Sequence, residues 1–71
     1  MRLPHTASPV IYLTPIPRLV IGVSGQRYHV KPNRIAIDIK TEDARVWLAG
    51  GQARKPSDAE LAMFDGHLAS V

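Results

Sequence analysis

The side chains best suited to chemistry in this chain are three histidines, six carboxylates and one serine in a glycine-flanked turn. His5, His29 and His67 lack the spacing that is typical of a metal site, and the chain has no cysteine to complete one. A lone histidine on a strand is also more often structural than catalytic. The sequence therefore predicts neither a metal centre nor a cofactor.

Nucleophilic and acid–base arrangements are equally poorly supported. The segment Gly22-Val23-Ser24-Gly25 is superficially like a nucleophile elbow, but it is one residue out of pattern and leads into a predicted strand instead of a helix. The carboxylates show no paired arrangement, and Asp58 and Glu60 are explained by a helix start. Gly50-Gly51 is too short for a phosphate loop and lacks the lysine. We therefore expect a protein that is not an enzyme.

Cations that alternate with apolar residues between Arg18 and Ala49 suggest a binding function. If this segment forms strands, the side-chain period of two places six of the nine Lys and Arg residues on one sheet face, together with Trp47 and one carboxylate. Such a face could bind an acidic protein surface, with Trp47 and an arginine as anchors. It could also neutralise phosphates while Trp47 stacks on bases. A simple solvated face is the third interpretation.

Turn signals divide this segment into the elements that would position the basic face. Ser24-Gly25, Pro32-Asn33 and Glu42-Asp43 each separate apolar-alternating runs. The predicted strands cover residues 18–23, 26–31, 34–40 and 44–49. In the first hairpin this register pairs Ile21 with Tyr28 and Leu19 with Val30, and all three hairpins place apolar residues opposite one another.

One helix is predicted after the sheet. Ser57-Asp58-Ala59-Glu60 is a capping box, so a helix should begin near residue 58 and end at 65 or extend to 70. Its apolar stripe would be formed by Leu61, Phe64, Leu68 and Val71. The predicted fold class is α+β: a four-stranded antiparallel β-meander, flat or curled toward a small barrel, with a C-terminal helix over its apolar face.

An extended arm is predicted before the sheet. Residues 1–17 contain four prolines, which exclude a helix, and their single apolar patch is Val10-Ile11-Tyr12-Leu13. This patch could fold back over the chain's own core or add to the sheet of another subunit. The sequence thus divides into an arm, residues 1–17, and a small α+β domain, residues 18–71.

Size and charge favour a protein that works with partners. Outside the arm about 54 of the 71 residues remain, and a core of that size rarely supplies more than ~3–5 kcal/mol. Without cysteines, oligomerisation or docking is the remaining route to added stability. The net charge of +3 weakly favours acidic partners. No signal peptide or membrane-length apolar run is evident, so we expect a location in the cytoplasm or within an assembled particle such as a virion, and no membrane partner.

The leading hypothesis is a non-catalytic structural protein, a small subunit that assembles with other protein subunits in a homo- or hetero-oligomer. A tiny sheet-plus-helix body with a long arm looks like small subunits of viral or phage particles, such as head, tail or cement components. The alternatives are a small nucleic-acid-binding module and a small protein inhibitor or adaptor. The residues predicted to bind a partner are Val10, Ile11, Tyr12, Leu13, Arg27, Arg34, Arg45 and Trp47.

Overall fold

A computed structural model describes residues 9–63 and 66–71, and it confirms a small α+β fold. The arrangement differs from a single meander, because the described strands form a four-stranded sheet and a separate two-stranded sheet. The elements in chain order are β1 (Val10–Tyr12), β2 (Arg18–Ile21), β3 (Arg27–Val30), β4 (Ile35–Ala36), α1 (Thr41–Gly50), β5 (Ala53–Arg54), α2 (Asp58–Met63) and β6 (Gly66–His67).

The apolar patch of the predicted arm is an interior strand of the larger sheet. The strand order is β5-β1-β4-β6, with β1 antiparallel to both neighbours and β6 parallel to β4. Val10 lies opposite Ala36, and Ile11 lies opposite Ile35. At β1 the chain therefore folds back into its own core, while the first eight residues of the predicted arm lie outside the described residues.

The predicted fourth strand, residues 44–49, is wrong, because these residues belong to helix α1. The same residues fit both the strand period of two and the helical period of 3.6. Val46 and Leu48 alternate as in a strand, whereas Ala44, Trp47 and Leu48 share one face of a helix. The helix buries Trp47, which is 4% exposed, and a strand with an open face would have left it in water.

Both ends of α1 have local support. Glu42 and Asp43 in the first turn interact favourably with the positive end of the helix dipole. At the other end Gly51 adopts a left-handed conformation, with φ of 81°, and the next amide, Gln52 N–H, donates a 2.9 Å hydrogen bond to the Trp47 carbonyl. Helices commonly end with a left-handed glycine in this way. Both signals are present in the sequence, where Glu42-Asp43 predicts a turn and Gly50-Gly51 predicts the end of a strand.

The first predicted hairpin is present, but its register is shifted by one residue. Val20 lies opposite Tyr28, and Ile21 lies opposite Arg27. The connection is longer than two residues, because Gly22 N–H donates to the Gln26 carbonyl at 2.9 Å. A one-residue shift exchanges the two faces of a strand. Leu19 and Ile21 therefore point away from the core. The predicted register instead places Arg18 and Val20 on this outer face.

The second predicted hairpin is wrong, although its turn is correct. Asn33 has a positive φ of 58°, and Arg34 N–H lies 3.4 Å from the Lys31 carbonyl, as expected for a Pro32-Asn33 turn. After this turn the chain does not return along β3. Residues 35–36 pair with β1 and β6 instead, and residues 37–39 are not in a strand.

The capping box that predicted α2 is confirmed. The Ser57 hydroxyl accepts from Glu60 N–H at 3.2 Å, and the Glu60 carboxylate accepts from Ser57 N–H at 2.8 Å. The continuation to residue 70 is wrong, since Gly66 and His67 form β6. Leu61, Leu68 and Val71 are exposed and do not form the predicted core stripe, and Phe64 lies outside the described residues.

The core lies where the larger sheet, the hairpin and α1 meet. Its buried residues are Val10, Tyr28, Val30, Ala36, Ile39, Ala44, Trp47, Ala53 and Ala69. On the other face of the sheet, Ile11 and Ile35 are buried next to a shallow groove that Met63 of α2 also lines. Neither helix in the described part of the chain is long and apolar enough to cross a lipid bilayer.

Candidate docking surface

The most buried charged group of the described chain is the carboxylate of Asp43, in the first turn of α1. It is fully buried and accepts three hydrogen bonds. Oδ1 accepts from Ser24 N–H at 2.8 Å, and Oδ2 accepts from the Ser24 hydroxyl at 2.6 Å and from the Tyr28 hydroxyl at 2.7 Å. The Tyr28 oxygen in turn accepts from Lys40 N–H at 3.1 Å. The network ties the β2–β3 turn and β3 to the start of α1.

The hydrogen bonds decide the charge state of this network. Burial alone raises the pKa of the Asp43 carboxyl, but hydrogen bonds from Ser24 and Tyr28 outweigh burial and hold the pKa below its usual 3.8. Burial, reinforced by the negative carboxylate, raises the pKa of Tyr28 to about 12. At neutral pH an ionised aspartate thus accepts from a neutral tyrosine. Since both of its oxygens accept hydrogen bonds from distant segments, the carboxylate serves as a structural tie between elements.

Two neighbours enclose the network. A Cβ atom built at Gly22 would clash with the carboxylate group of Asp43, so the close approach of turn and helix depends on glycine. On the other side Trp47 packs edge-on against Tyr28, with ring centroids 5.3 Å apart, and against Tyr12, with centroids 5.0 Å apart. The site is therefore filled, and a substrate has no described opening to it.

A second carboxylate, that of Asp38, ties down the chain's last residues. Oδ1 accepts from Ala69 N–H at 2.7 Å, and Oδ2 accepts from Ser70 N–H at 2.9 Å and from the Ser70 hydroxyl. Burial raises the pKa of Asp38, but the hydrogen bonds together lower this pKa by a larger amount, so the net shift is downward. Residues 69–71 also bond to β3, through His29 N–H and the Arg27 carbonyl.

The structure separates the residues that the sequence assigned to partner binding. Val10 and Ile11 are buried within the chain, and Leu13 is exposed. Tyr12 is half-buried and packs edge-on against Trp47 at the margin of the core. Trp47 is thus absent from any open face, which corrects the predicted surface that combined it with the arginines.

The three predicted arginines lie on different elements. Arg27 is exposed on β3, and Arg45 is exposed on α1. Arg34 follows the Pro32-Asn33 turn and is half-buried. Burial is the main cause that lowers the pKa of the His67 imidazole, and the positive charge of Arg34 lowers that pKa as well. The predicted continuous basic sheet face is therefore not formed.

The surface that replaces it is the outward face of the β2–β3 hairpin. Leu19 is 53% exposed and Ile21 is 66% exposed, and they lie opposite His29 and Arg27 respectively. His29 and Arg27 are exposed as well. We call these four residues the hairpin face. It combines an apolar strip on β2 with a polar, cationic strip on β3.

The hairpin face borders an open sheet edge. Among the residues that the structure describes, β2 pairs only with β3. Gly22 bonds to Gln26, so by alternation Val20 and Arg18 also direct their backbone groups toward β3. The N–H and C=O groups of Leu19 and Ile21 must then point outward. Exposed strand edges of this kind are templates for pairing with another chain.

Sequence reasoning missed Leu19 and Ile21 because it assumed a two-residue turn. The signal that could have found them is Gly25. With its φ of 90°, Gly25 ends a three-residue turn, residues 23–25, which Gly22 and Gln26 close with a hydrogen bond. Asp43 and Tyr28 had no comparable signal, since a residue's burial depends on contacts that are distant in sequence.

Other types of site find no support in the described residues. No group of three or more His, Cys, Asp or Glu side chains within residues 9–63 and 66–71 is arranged to hold a metal ion. Comparisons with known proteins add no assignment, because no family model, curated protein or solved structure matches this chain. A functional assignment therefore rests on the geometry of the chain itself.

Proposed function

We propose that this protein is a non-catalytic assembly subunit that docks on other protein subunits through the hairpin face and the open edge of β2. The observation that carries the proposal is the exposure of Leu19 and Ile21 beside backbone groups that have no strand partner among the described residues. Monomeric proteins usually protect such an edge with lysine, a bulge or a covering segment. Between Arg18 and Ile21 this strand has no lysine, and its central residues are aliphatic.

The anatomy of the hairpin face also fits a protein partner. Protein interfaces place apolar residues at the centre and polar residues, with arginine enriched, around them. Leu19 and Ile21 would form the centre, while Arg27 and His29 would form one rim. That the assembly is a viral or phage particle remains a prediction from overall architecture.

The arrangement supports the nucleic-acid alternative less well. Stacking of bases requires an exposed aromatic ring, and the predicted ring was that of Trp47, which packs against Tyr12 and Tyr28 in the core. Without it, the exposed arginines offer only salt-sensitive contacts to phosphates.

Incorporation into a complex tests the proposal. In extracts of the cells that produce it, the wild-type chain should elute from gel filtration as a complex larger than the monomer. Ile21→Lys should shift the chain to the monomer position, because it places a charge at the centre of the interface. Met63→Lys is the matched control: Met63 is even more exposed, at 84%, but lies on α2.

Circular dichroism of both purified variants would show that each remains folded. The proposal fails if the wild-type chain elutes as a monomer at every loading concentration. It also fails if Ile21→Lys remains in the complex, or if Met63→Lys leaves the complex to the same extent.

A further inference from the structure

We propose that the partner at the open edge is a second copy of this chain, paired antiparallel through β2 about a two-fold axis. This inference rests on the proposed function and names the first contact of the assembly. It follows from the arrangement of backbone groups, side chains and charges along four residues, Arg18–Ile21. Two-fold symmetric pairs are the commonest form of soluble oligomer.

The backbone selects one register. Only Leu19 and Ile21 direct their N–H and C=O groups outward within β2, and hydrogen-bonded pairs must form between outward-directed residues. Pairing Leu19 with Ile21 of the second copy, and Ile21 with Leu19, satisfies all of these groups in both strands. A shift by one residue pair in either direction would require Pro17, which lacks an N–H, or Val23, which lies in the turn.

The same register is self-complementary in its side chains. On the hairpin face each leucine lies opposite an isoleucine, so the two apolar strips join into one and the strips of Arg27 and His29 flank it on both sides. On the inner face Val20 meets Val20 of the second copy at the axis. Aliphatic cross-strand pairs of this kind stabilise sheets.

Charge does not oppose the pairing locally. Arg18 lies opposite Gly22 of the second copy, so no like charges are directly opposed. At long range two chains of net charge +3 repel each other, and salt screens this repulsion. Added salt should therefore strengthen the dimer, whereas it would weaken binding of an acidic peptide or of nucleic acid.

The strand is short, so the dimer belongs to the weak, concentration-dependent class. A standard interface buries roughly 800 Å² on each partner, which a four-residue edge does not reach. Sedimentation equilibrium of the purified full chain, from micromolar to millimolar concentration, should show a transition from monomer to dimer. Leu19→Lys should weaken the dimer at least tenfold, whereas Met63→Lys should leave it unchanged.

A single-cysteine experiment tests the register. The wild-type chain has no cysteine, so Val20→Cys introduces one thiol at the proposed axis. Directly opposed residues of a non-hydrogen-bonded antiparallel pair have Cα atoms about 4.5 Å apart, within the range of disulfide geometry. Val20→Cys should form a disulfide-linked dimer rapidly under mild oxidation, and Met63→Cys should form it slowly or not at all.

Removal of one backbone donor separates edge pairing from other modes of association. Ile21→Pro deletes an N–H that makes no hydrogen bond to β3, and proline is tolerated at outward positions of an edge strand. The variant should remain folded by circular dichroism and lose the dimer.

The outcomes distinguish this inference from the proposed function. A dimer that persists in Ile21→Pro, or equal cross-linking rates for the two cysteine variants, overturns pairing through β2. A purified chain that stays monomeric at every concentration, but elutes in a larger complex from extract in a manner that depends on Ile21, overturns the second copy as partner and leaves the proposed function standing.

Discussion

The hydroxyl of Tyr28 donates a 2.7 Å hydrogen bond to Oδ2 of Asp43, a residue 15 positions further along the chain. This bond joins β3 to the first turn of α1 inside the core, where neither group can bond to water. Unfulfilled hydrogen bonds are costly in such an environment. Loss of either partner is therefore expected to lower the free energy of unfolding by more than the net value of one hydrogen bond, because the other partner is left buried and unsatisfied.

A double-mutant cycle measures this pair. Tyr28→Phe should lower the free energy of unfolding by about 1–2 kcal/mol, and Asp43→Asn by about 2–3 kcal/mol, because each leaves buried groups without a full set of partners. The double variant should lose less than the sum of the two. Urea denaturation supplies the values, and Glu42→Gln, an exposed position in the same helical turn, should change little. Strict additivity would show that the hydrogen bond contributes nothing of its own.

Alkaline pH should destabilise the fold through Tyr28. Its pKa is raised from 10.0 to about 12 because burial disfavours the phenolate, so the folded protein keeps the proton when the unfolded chain has lost it. The contribution of this group to stability is complete below pH 10 and declines as the pH rises toward 12. Ultraviolet titration of tyrosinate should show one tyrosine with a pKa of about 12 in the wild type, and this tyrosine should be missing in Tyr28→Phe. Its persistence in the variant would contradict the assignment.

Gly22→Ala should destabilise the protein by about 1–3 kcal/mol, as overpacking of a filled core does. The new methyl group would clash with the Asp43 carboxylate. The loss should be much smaller in an Asp43→Ala background, where the space is free. Val23→Ala, the exposed neighbour, is the control and should stay within about 0.5 kcal/mol of wild type. Thermal denaturation of the wild type and these four variants decides the matter, and an equal loss in both backgrounds would be evidence against the clash.

The fluorescence of Trp47 should report a buried ring. Since the side chain is 4% exposed and packs against two tyrosines, iodide should quench it far less in the native protein than in urea. Moving the tryptophan by one position, in a Val46→Trp, Trp47→Phe variant, should make it accessible, because Val46 lies on the open side of α1. Stronger quenching of the wild-type tryptophan than of the tryptophan in the variant would contradict the helix, because in the predicted strand Trp47 faces outward and Val46 faces the core.

Strand β1 should be essential to the fold even though it lies in the predicted arm. Val10→Ala should cost about 2 kcal/mol, since it leaves a cavity in the core. Leu13→Ala, three residues away and exposed, should cost less than about 0.5 kcal/mol. Urea denaturation compares the two. Similar small losses would show that the arm does not belong to the core.

Sequence reasoning succeeded where structure is determined within a few residues. The Ser57–Glu60 capping box and the turn at Asn33 depend on hydrogen bonds and backbone conformations that neighbouring residues specify. The pairing of β2 with β3 also follows from a local glycine turn. These features, together with the small α+β class, were determined by the sequence alone because the competing conformations are local as well.

Tertiary structure decided the rest. Residues 44–49 fit a strand or a helix almost equally, and burial of Trp47 against Tyr12 and Tyr28 selected the helix. Val10 became part of a central strand because β4 and β5 lie on either side of it. The candidate docking surface exists because the pairing of β2 with β3 is shifted by one residue from the predicted register. This shift turns Leu19 and Ile21 outward, while Tyr28 and Val30 face the core. Burial depends on which distant segments meet, and no local pattern along the chain specifies that.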